Sequence, residues 1–438
     1  MPNTIENNSN NLRTIFFAYS LSLLDLILCQ PFHEYIRFLI YLTIPLFAIY
    51  ILCKNGVKPI VFNLGSIFIL GTELYISLMM FINKEVMTYG LAALINFLLF
   101  VIGLYVISSD NLLDEIYKVT KVLTIITMII CIISYLLRPF MLAHPELNNL
   151  YILGHKFCFS GAADTNYRWD GYAGHPNQTG MICAAGIISS FIFFMLAKSK
   201  KEIALAIINI MLNGIFLFLV SSRSPLLASI SFVVTFLVYY LIAGGFKKTP
   251  QITRRLIILI SIALLLFCCL AIVFIVSSSF RDYLLNKIIR VDNIKTATGR
   301  TYLQKTIMDE FFAQKHYFKG LSYNYIKEIT QCLGPHNSFV QTIAANGIPS
   351  LILLIISMLI PFVYLIVLLI RKNTLTKSEL LIAAISFGSI IAMVIQNSFE
   401  TAYVWELRGS TGLERWILCF PVILWHNKKQ EKKLSTTV

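Results

Sequence analysis

Residues 255–279 read RLIILISIALLLFCCLAIVFIVSSS. From Leu256 to Val276 the stretch carries no charge, and it is long enough to cross a hydrocarbon core of about 30 Å as an α-helix. In lipid no water is present to satisfy backbone N–H and C=O groups, so a lone apolar run of this kind has one stable form, a helix that satisfies its own backbone. Similar runs recur on both sides of it. Predicted spans fall at 14–30, 35–53, 60–82, 89–107, 119–138, 177–197, 203–221, 224–243, 255–279, 339–370, 379–397 and 411–426.

The expectation is an all-α polytopic membrane protein with about 12 transmembrane helices. Composition agrees. Hydrophobic residues make up 57% of the 438 and charged residues 13%, against about 25% charged in a soluble domain; mean hydropathy is +0.74. No stretch between the runs reads as a soluble domain, so residues 1–438 are expected to form a single integral membrane domain. The polar start, MPNTIENNSNNLR, leads into an apolar run followed by QPFHEY rather than by a small-residue cleavage site. That reads as a first membrane helix, not a removable signal peptide.

The net charge of +14 does not point to nucleic acid, because the basic residues lie mainly in short loops between apolar runs. With both termini placed in the cytoplasm, the inside segments hold nineteen Lys or Arg residues. The short outside loops hold five: Arg37, Lys84, Arg223, Arg408 and Arg415. This is a positive-inside bias. It leaves two large extracytoplasmic loops, 139–176 and 280–338. In the second, RDYLLNKIIRV (281–291) predicts an amphipathic surface helix. TGRTYLQKTIMDEFFAQK (298–315) predicts a further helix that Gly320 terminates.

Seven of the nine cysteines lie in or beside apolar runs and read as small hydrophobes. No CxxC pair or Cys/His spacing suits zinc. Cys158 and Cys332 share the outer compartment. Two unpaired thiols are expected there, since a bridge needs Cα atoms roughly 4.4–6.8 Å apart. Asp25 and Glu73 are the ionisable residues nearest to span interiors, and the sequence assigns them no role. There is no P-loop, Rossmann fingerprint, HExxH or DxD-like metal site, which argues against an ATP-driven transporter and a metal-dependent nucleotide-sugar transferase.

Four segments predicted to face outward carry the candidate chemistry, and each has two readings. Ser221–Ser222–Arg223–Ser224–Pro225 places an arginine in a very short hairpin, either snorkelling to lipid head groups or binding an anion. Thr298–Gly299–Arg300 opens a helix, where backbone N–H groups and a guanidinium converge on one anion; otherwise Arg300 is a solvated loop arginine. Gly334–Pro335–His336–Asn337–Ser338 leads into a membrane helix, with Pro335 at the helix start and His336 in its first turn. There the helix dipole disfavours protonation, as a general base requires, or the ring simply caps the helix. In Tyr167–Arg168–Trp169–Asp170–Gly171–Tyr172–Ala173–Gly174–His175–Pro176–Asn177, aromatic and polar groups alternate as on a sugar-binding surface, or as in an aromatic interface belt.

Taken in order, these segments resemble the Wzy/WaaL superfamily of O-antigen and capsular polysaccharide polymerases and O-antigen ligases. SSRSPLL is similar to its Ser-Arg motif, TGRTYLQKTIMDEFFAQKHYFKGLS to its Arg-led loop helix followed by a glycine, and GPHNSFVQTIAANGIPSLIL to its His-Asn helix running to a glycine. RWDGYAGHPNQTG is similar to its upstream Arg-Gly-Asn loop. The resemblance covers about 165–370. It implies a GT-C-like fold in the bacterial cytoplasmic membrane and glycosyl transfer from an undecaprenyl-diphosphate-linked glycan, with no metal and no cofactor. By resemblance, Arg223 and Arg300 hold the diphosphate and His336 deprotonates the acceptor hydroxyl. Arg168, Trp169, Asp170, His175, Asn177 and Asn337 face the glycan. Membrane lipid, a flippase and a chain-length regulator are the further partners implied. Polymerase is the expected activity; the alternatives are a ligase transferring a finished glycan to lipid A core or protein, and a lipid-linked oligosaccharide flippase.

Overall fold

The computed structural model describes residues 63–85, 112–144, 151–152, 155–156, 176–283, 285, 300–331, 335–399 and 418–430. These are helical apart from turns and one antiparallel pair of two-residue strands, β1 (Tyr151–Ile152) and β2 (His155–Lys156). The helices are α1 (Leu64–Ile82), α2 (Leu112–Ala143), α3 (Pro176–Leu196), α4 (Lys200–Val220), α5 (Arg223–Ile242), α6 (Gly245–Lys248), α7 (Pro250–Val276) and α8 (Ser278–Tyr283). There follow α9 (Arg300–Gln314), α10 (Tyr323–Ile329), α11 (Ser338–Asn346), α12 (Ile348–Ile370) and α13 (Lys377–Phe399), and α14 over 418–430.

Among the described residues, eight helices are long and apolar enough to cross a membrane: α1, α2, α3, α4, α5, α7, α12 and α13. Many of their large apolar side chains are exposed. On α7, Leu264 is 61% exposed, Leu265 65% and Val276 79%. A helix of this composition with so little protein around it is solvated by hydrocarbon. The chain is a multi-pass helical membrane protein. Predicted spans 14–30, 35–53 and 89–107 lie outside the described residues, as do Cys158 and Cys332. Of the amphipathic stretch 281–291, only residues 281–283 and 285 are described.

The predicted span 339–370 is divided. At Gly347 (φ 84°) the chain leaves helical geometry, and the short α11 ends where α12 begins. Asn346, Gly347 and Pro349 interrupt the apolar run here, and Asn-Gly followed by Pro is a helix-stop signal that a hydropathy window averages away.

The chain divides into two compact units. One takes the described residues up to Ile116 and from Arg300 onward; the other takes those from Tyr117 to 285. In the second unit α3 is the central helix and packs against α4, α5 and α7. Its glycines permit close approach. A Cβ on Gly180 would lie 2.6 Å from the Ser222 Cβ, and one on Gly186 2.5 Å from Asn213 Oδ1. Farther along, Phe191 packs edge-on against Phe232 and Phe236, at centroid distances of 5.7 and 5.2 Å.

A polar network threads α2, α3 and α4 through this core. Asn209 Nδ2 donates to Thr127 Oγ1 (2.9 Å) and Ser190 Oγ (2.7 Å). Ser190 Oγ donates to Thr124 Oγ1 (3.2 Å), and Asn213 Nδ2 donates to Asn209 Oδ1 (2.8 Å). Cys131 Sγ completes the chain on Asn213 Oδ1 at 3.4 Å. All these groups are buried. Beyond the network, Arg255 donates to the Met195 (2.7 Å) and Ala197 (2.6 Å) carbonyls and so caps the C-terminal end of α3.

In the other unit, α1 begins with a capping box. Asn63 Oδ1 accepts from Ser66 N (3.2 Å) while Ser66 Oγ accepts from Asn63 N (2.9 Å). Helix α12 lies along α1. Trp425 of α14 stacks on Tyr364 at 5.0 Å, and Lys428 pairs with Glu379 at 3.0 Å.

Candidate functional site

Arg300 and Asn337 meet at the last turn of α13. Helix α9 begins at Arg300 itself, whose Nη1 donates to the Phe399 carbonyl at 2.7 Å. Asn337 Nδ2 donates to the neighbouring Ser398 carbonyl at 3.0 Å. One turn into α9, Gln304 Nε2 donates to the Pro335 carbonyl at 3.1 Å. A guanidinium at a helix C-terminus faces the negative end of the dipole, which favours the contact. Arg300 carries five donors in a planar fork, of which Nη1 serves the Phe399 carbonyl.

The residue placed in the first turn of α11 by sequence is displaced. Asn337, not Pro335, sets the helix start: its Oδ1 accepts from Phe339 N (2.9 Å) and Val340 N (3.0 Å). His336 therefore precedes the N-cap with a left-handed backbone (φ 49°) and is half-buried. Asparagine is among the strongest N-cap residues, and that preference overrides the fit of proline to a first turn. The dipole argument for His336 weakens accordingly, because Asn337 already occupies two of the free N–H groups.

Two glycines lock this region together. A Cβ on Gly320 (φ 74°) would fall within the backbone of Ala345 and Asn346, and one on Gly347 within that of Phe318. Around them, Leu321 N donates to Ala344 O (2.6 Å) and Ile348 N to Tyr317 O (2.7 Å). Helix α1 and its following turn secure the same loop. Tyr75 OH donates to Phe318 O (2.6 Å), and Asn83 Nδ2 to Lys319 O (3.0 Å). The buried Glu85 accepts from Asn324 N (2.7 Å) in the first turn of α10. Burial pushes the Glu85 carboxyl above its ordinary range, with the hydrogen bonds around Asn324 and nearby Lys327 opposing the shift. Between α9 and α10, Glu310 accepts from Gln314 (2.6 Å) and Tyr325 OH (2.7 Å). These bonds lower the Glu310 pKa and raise that of Tyr325.

In the other unit, Arg223 is the exposed first residue of α5. The turn before it is short: Ser221, left-handed at φ 53°, caps α4, and Ser222 is the N-cap of α5. Ser222 Oγ donates to Oδ1 of Asn177 (3.3 Å), in the first turn of α3, with Gly180 close by. The structure thus brings Asn177 beside the Ser-Ser-Arg turn, two features that sequence reading treated separately. Arg168, Trp169, Asp170 and His175 lie outside the described residues.

Sequence reading passed over Gln396 and Asn397, which share the last turn of α13 with the two carbonyls that hold Arg300 and Asn337. Their signal was present as QNS closing an otherwise apolar run. Among the described residues no group of three His, Cys, Asp or Glu side chains is arranged to hold a metal ion. No family model matches the chain, and no curated protein matches it significantly.

Proposed function

We propose that this protein is a polysaccharide polymerase that joins polyprenyl-diphosphate-linked repeat units at the outer face of the bacterial cytoplasmic membrane, with both termini in the cytoplasm. The observation that carries the reading is the gathering of Arg300 and Asn337 on adjacent carbonyls of α13, next to His336. These residues come from two of the four motif segments and are separated by a long stretch of sequence. Arg223, heading α5, supplies the second cation of the reading. The Lys/Arg asymmetry of the loops supports the orientation.

In the proposed reaction, His336 takes the proton of the acceptor hydroxyl and the freed oxygen attacks the anomeric carbon of the donor sugar. The carbon–oxygen bond to the diphosphate breaks, and the diphosphate departs with the electron pair. Arg223 and Arg300 stabilise the charge that develops on it. The donor lipid already carries the activation, so the chemistry needs neither ATP nor a metal.

The test is deletion followed by glycan sizing. Single-repeat products mean polymerase; long chains left unattached mean ligase; repeat units retained on the cytoplasmic side mean flippase. On the deletion background at matched expression, Arg223→Ala and Arg300→Ala should each cost on the order of 10²–10³ in turnover. His336→Ala should cost roughly 10²–10⁴. Wild-type polymer from either arginine variant would remove the diphosphate assignment.

A further inference from the structure

One face of α13 carries buried polar groups with no hydrogen-bond partner among the described residues. They are Ser389 Oγ, both amide atoms of Gln396, and Asn397 Oδ1; Thr342 Oγ1 of α11, the short helix packed against α13, shares the property. Gln396 is 1% exposed and Asn397 5%. Ser389 lies two helical turns before the amide pair, on the same face. An unpaired amide in a membrane interior is costly, and an apolar residue of similar volume would remove the cost.

The position of the pair gives it meaning. The next two residues of the same turn, Ser398 and Phe399, offer the carbonyls that hold Asn337 and Arg300. The unfilled groups therefore adjoin the residues proposed above to act on the glycan donor. Their chemistry selects the ligand class. Primary amides are uncharged and offer donors and acceptors together. They suit the hydroxyl and acetamido groups of a sugar, whereas a diphosphate is held by cations.

We infer that Gln396 and Asn397 form a sugar-reading wall beside Arg300 and set which glycan the site accepts. This rests on the polymerase reading. Both side chains are closed to solvent, so the sugar displaces packed neighbours as it enters and gives the amides partners.

The test uses the full chain in nanodiscs and two probes: undecaprenyl diphosphate without sugar, and the lipid-linked repeat unit extracted from the deletion strain. Gln396→Leu should bind the bare lipid as the wild type does. It should lose about tenfold or more in affinity for the glycan-bearing lipid, as the loss of one or two hydrogen bonds implies. Its melting temperature should match or exceed that of the wild type, because the unpaired amide is gone. Gln396→Met, closer in shape, replaces it if the leucine variant does not extract as folded protein. Wild-type affinity for the glycan-bearing lipid overturns the wall, and so does a lowered melting temperature, which would assign the amide to packing. A wild-type chain that binds neither probe, with unchanged glycan size on deletion, overturns the polymerase reading and the wall together. Failure of the glutamine variants alone leaves Arg300 and the polymerase reading standing.

Discussion

Each unit holds one set of buried polar side chains that spans helices, and the two sets are satisfied differently. In one, Thr124, Thr127, Ser190, Asn209 and Asn213 satisfy one another across three helices. In the other, Gln396, Asn397, Ser389 and Thr342 are equally buried yet keep atoms with no partner among the described residues. A closed network fixes how helices pack, since every alternative packing would leave polar groups stranded. An open set does nothing for packing and carries a standing cost. The difference separates polar residues kept for architecture from those available to a ligand, a distinction that burial alone would miss.

The most severe way to break this comparison is to release the open set from its support. Gly347→Ala places a methyl group inside the backbone of Phe318 at a φ that alanine resists, and Gly320→Ala does the same against Ala345. Each should cost more than about 3 kcal/mol, and detergent extraction with size-exclusion profiling should show little folded protein. A monodisperse profile at wild-type yield would mean that the loop and α11 are less tightly joined than their hydrogen bonds indicate.

The closed network gives the next effect. Asn209→Leu leaves Thr127, Ser190 and Asn213 short of partners and should destabilise by about 1–2 kcal/mol, read as a lowered melting temperature. The sign is the useful part, because Gln396→Leu in the open set should hold or raise that temperature. Equal shifts in the two variants would erase the distinction between the units.

A smaller effect concerns pH. The Glu85 carboxyl titrates above its ordinary value of 4.5 in the folded chain, so the folded state holds its proton more tightly than the unfolded one. Stability should therefore fall as pH rises from about 4.5 to the raised value, and the penalty should be complete above it. Glu85→Gln keeps an oxygen for Asn324 N and should flatten this slope in thermal melts across pH. An unchanged slope would assign it to another group.

The smallest effect has the opposite sign. Glu310 titrates below its ordinary value because Gln314 and Tyr325 donate to it, so its contribution is present above 4.5 and fades as pH falls through the lowered value. Tyr325→Phe should shrink that contribution slightly, and melts at neutral and acidic pH should show it at the neutral end only.

The eight spans among the described residues were legible because lipid imposes a one-dimensional rule: each run must be apolar and long enough. The start of α9 was legible at Arg300, but its end was not: the helix stops at Gln314, before a left-handed Lys315 and well short of Gly320. What escaped was set by choices between neighbours or by distant partners. Asn337 outcompetes Pro335 as the residue that sets the start of α11, a contest that a motif spacing does not display. Gly347 was legible as the end of a motif helix, but its clasp against Phe318 was not. Gln396 looks like any polar residue near a span end, and its lack of a partner among the described residues is a fact about three dimensions. Arg223 was legible at the start of a helix, while the bond from its neighbour Ser222 to Asn177 came only with the close packing of α3 on α5.

The clasp between Gly320 and Gly347 also bears on how this chain can be altered. The hydrogen bonds Leu321 to Ala344 and Ile348 to Tyr317 cross between the loop and the α11–α12 junction. A residue inserted or removed between 317 and 321, or between 344 and 348, would put both out of register at once. Residues 317–321 and 344–348 thus behave as one cassette. In chimaeras between related chains they should be exchanged whole, and epitope tags belong on either side of them, never within.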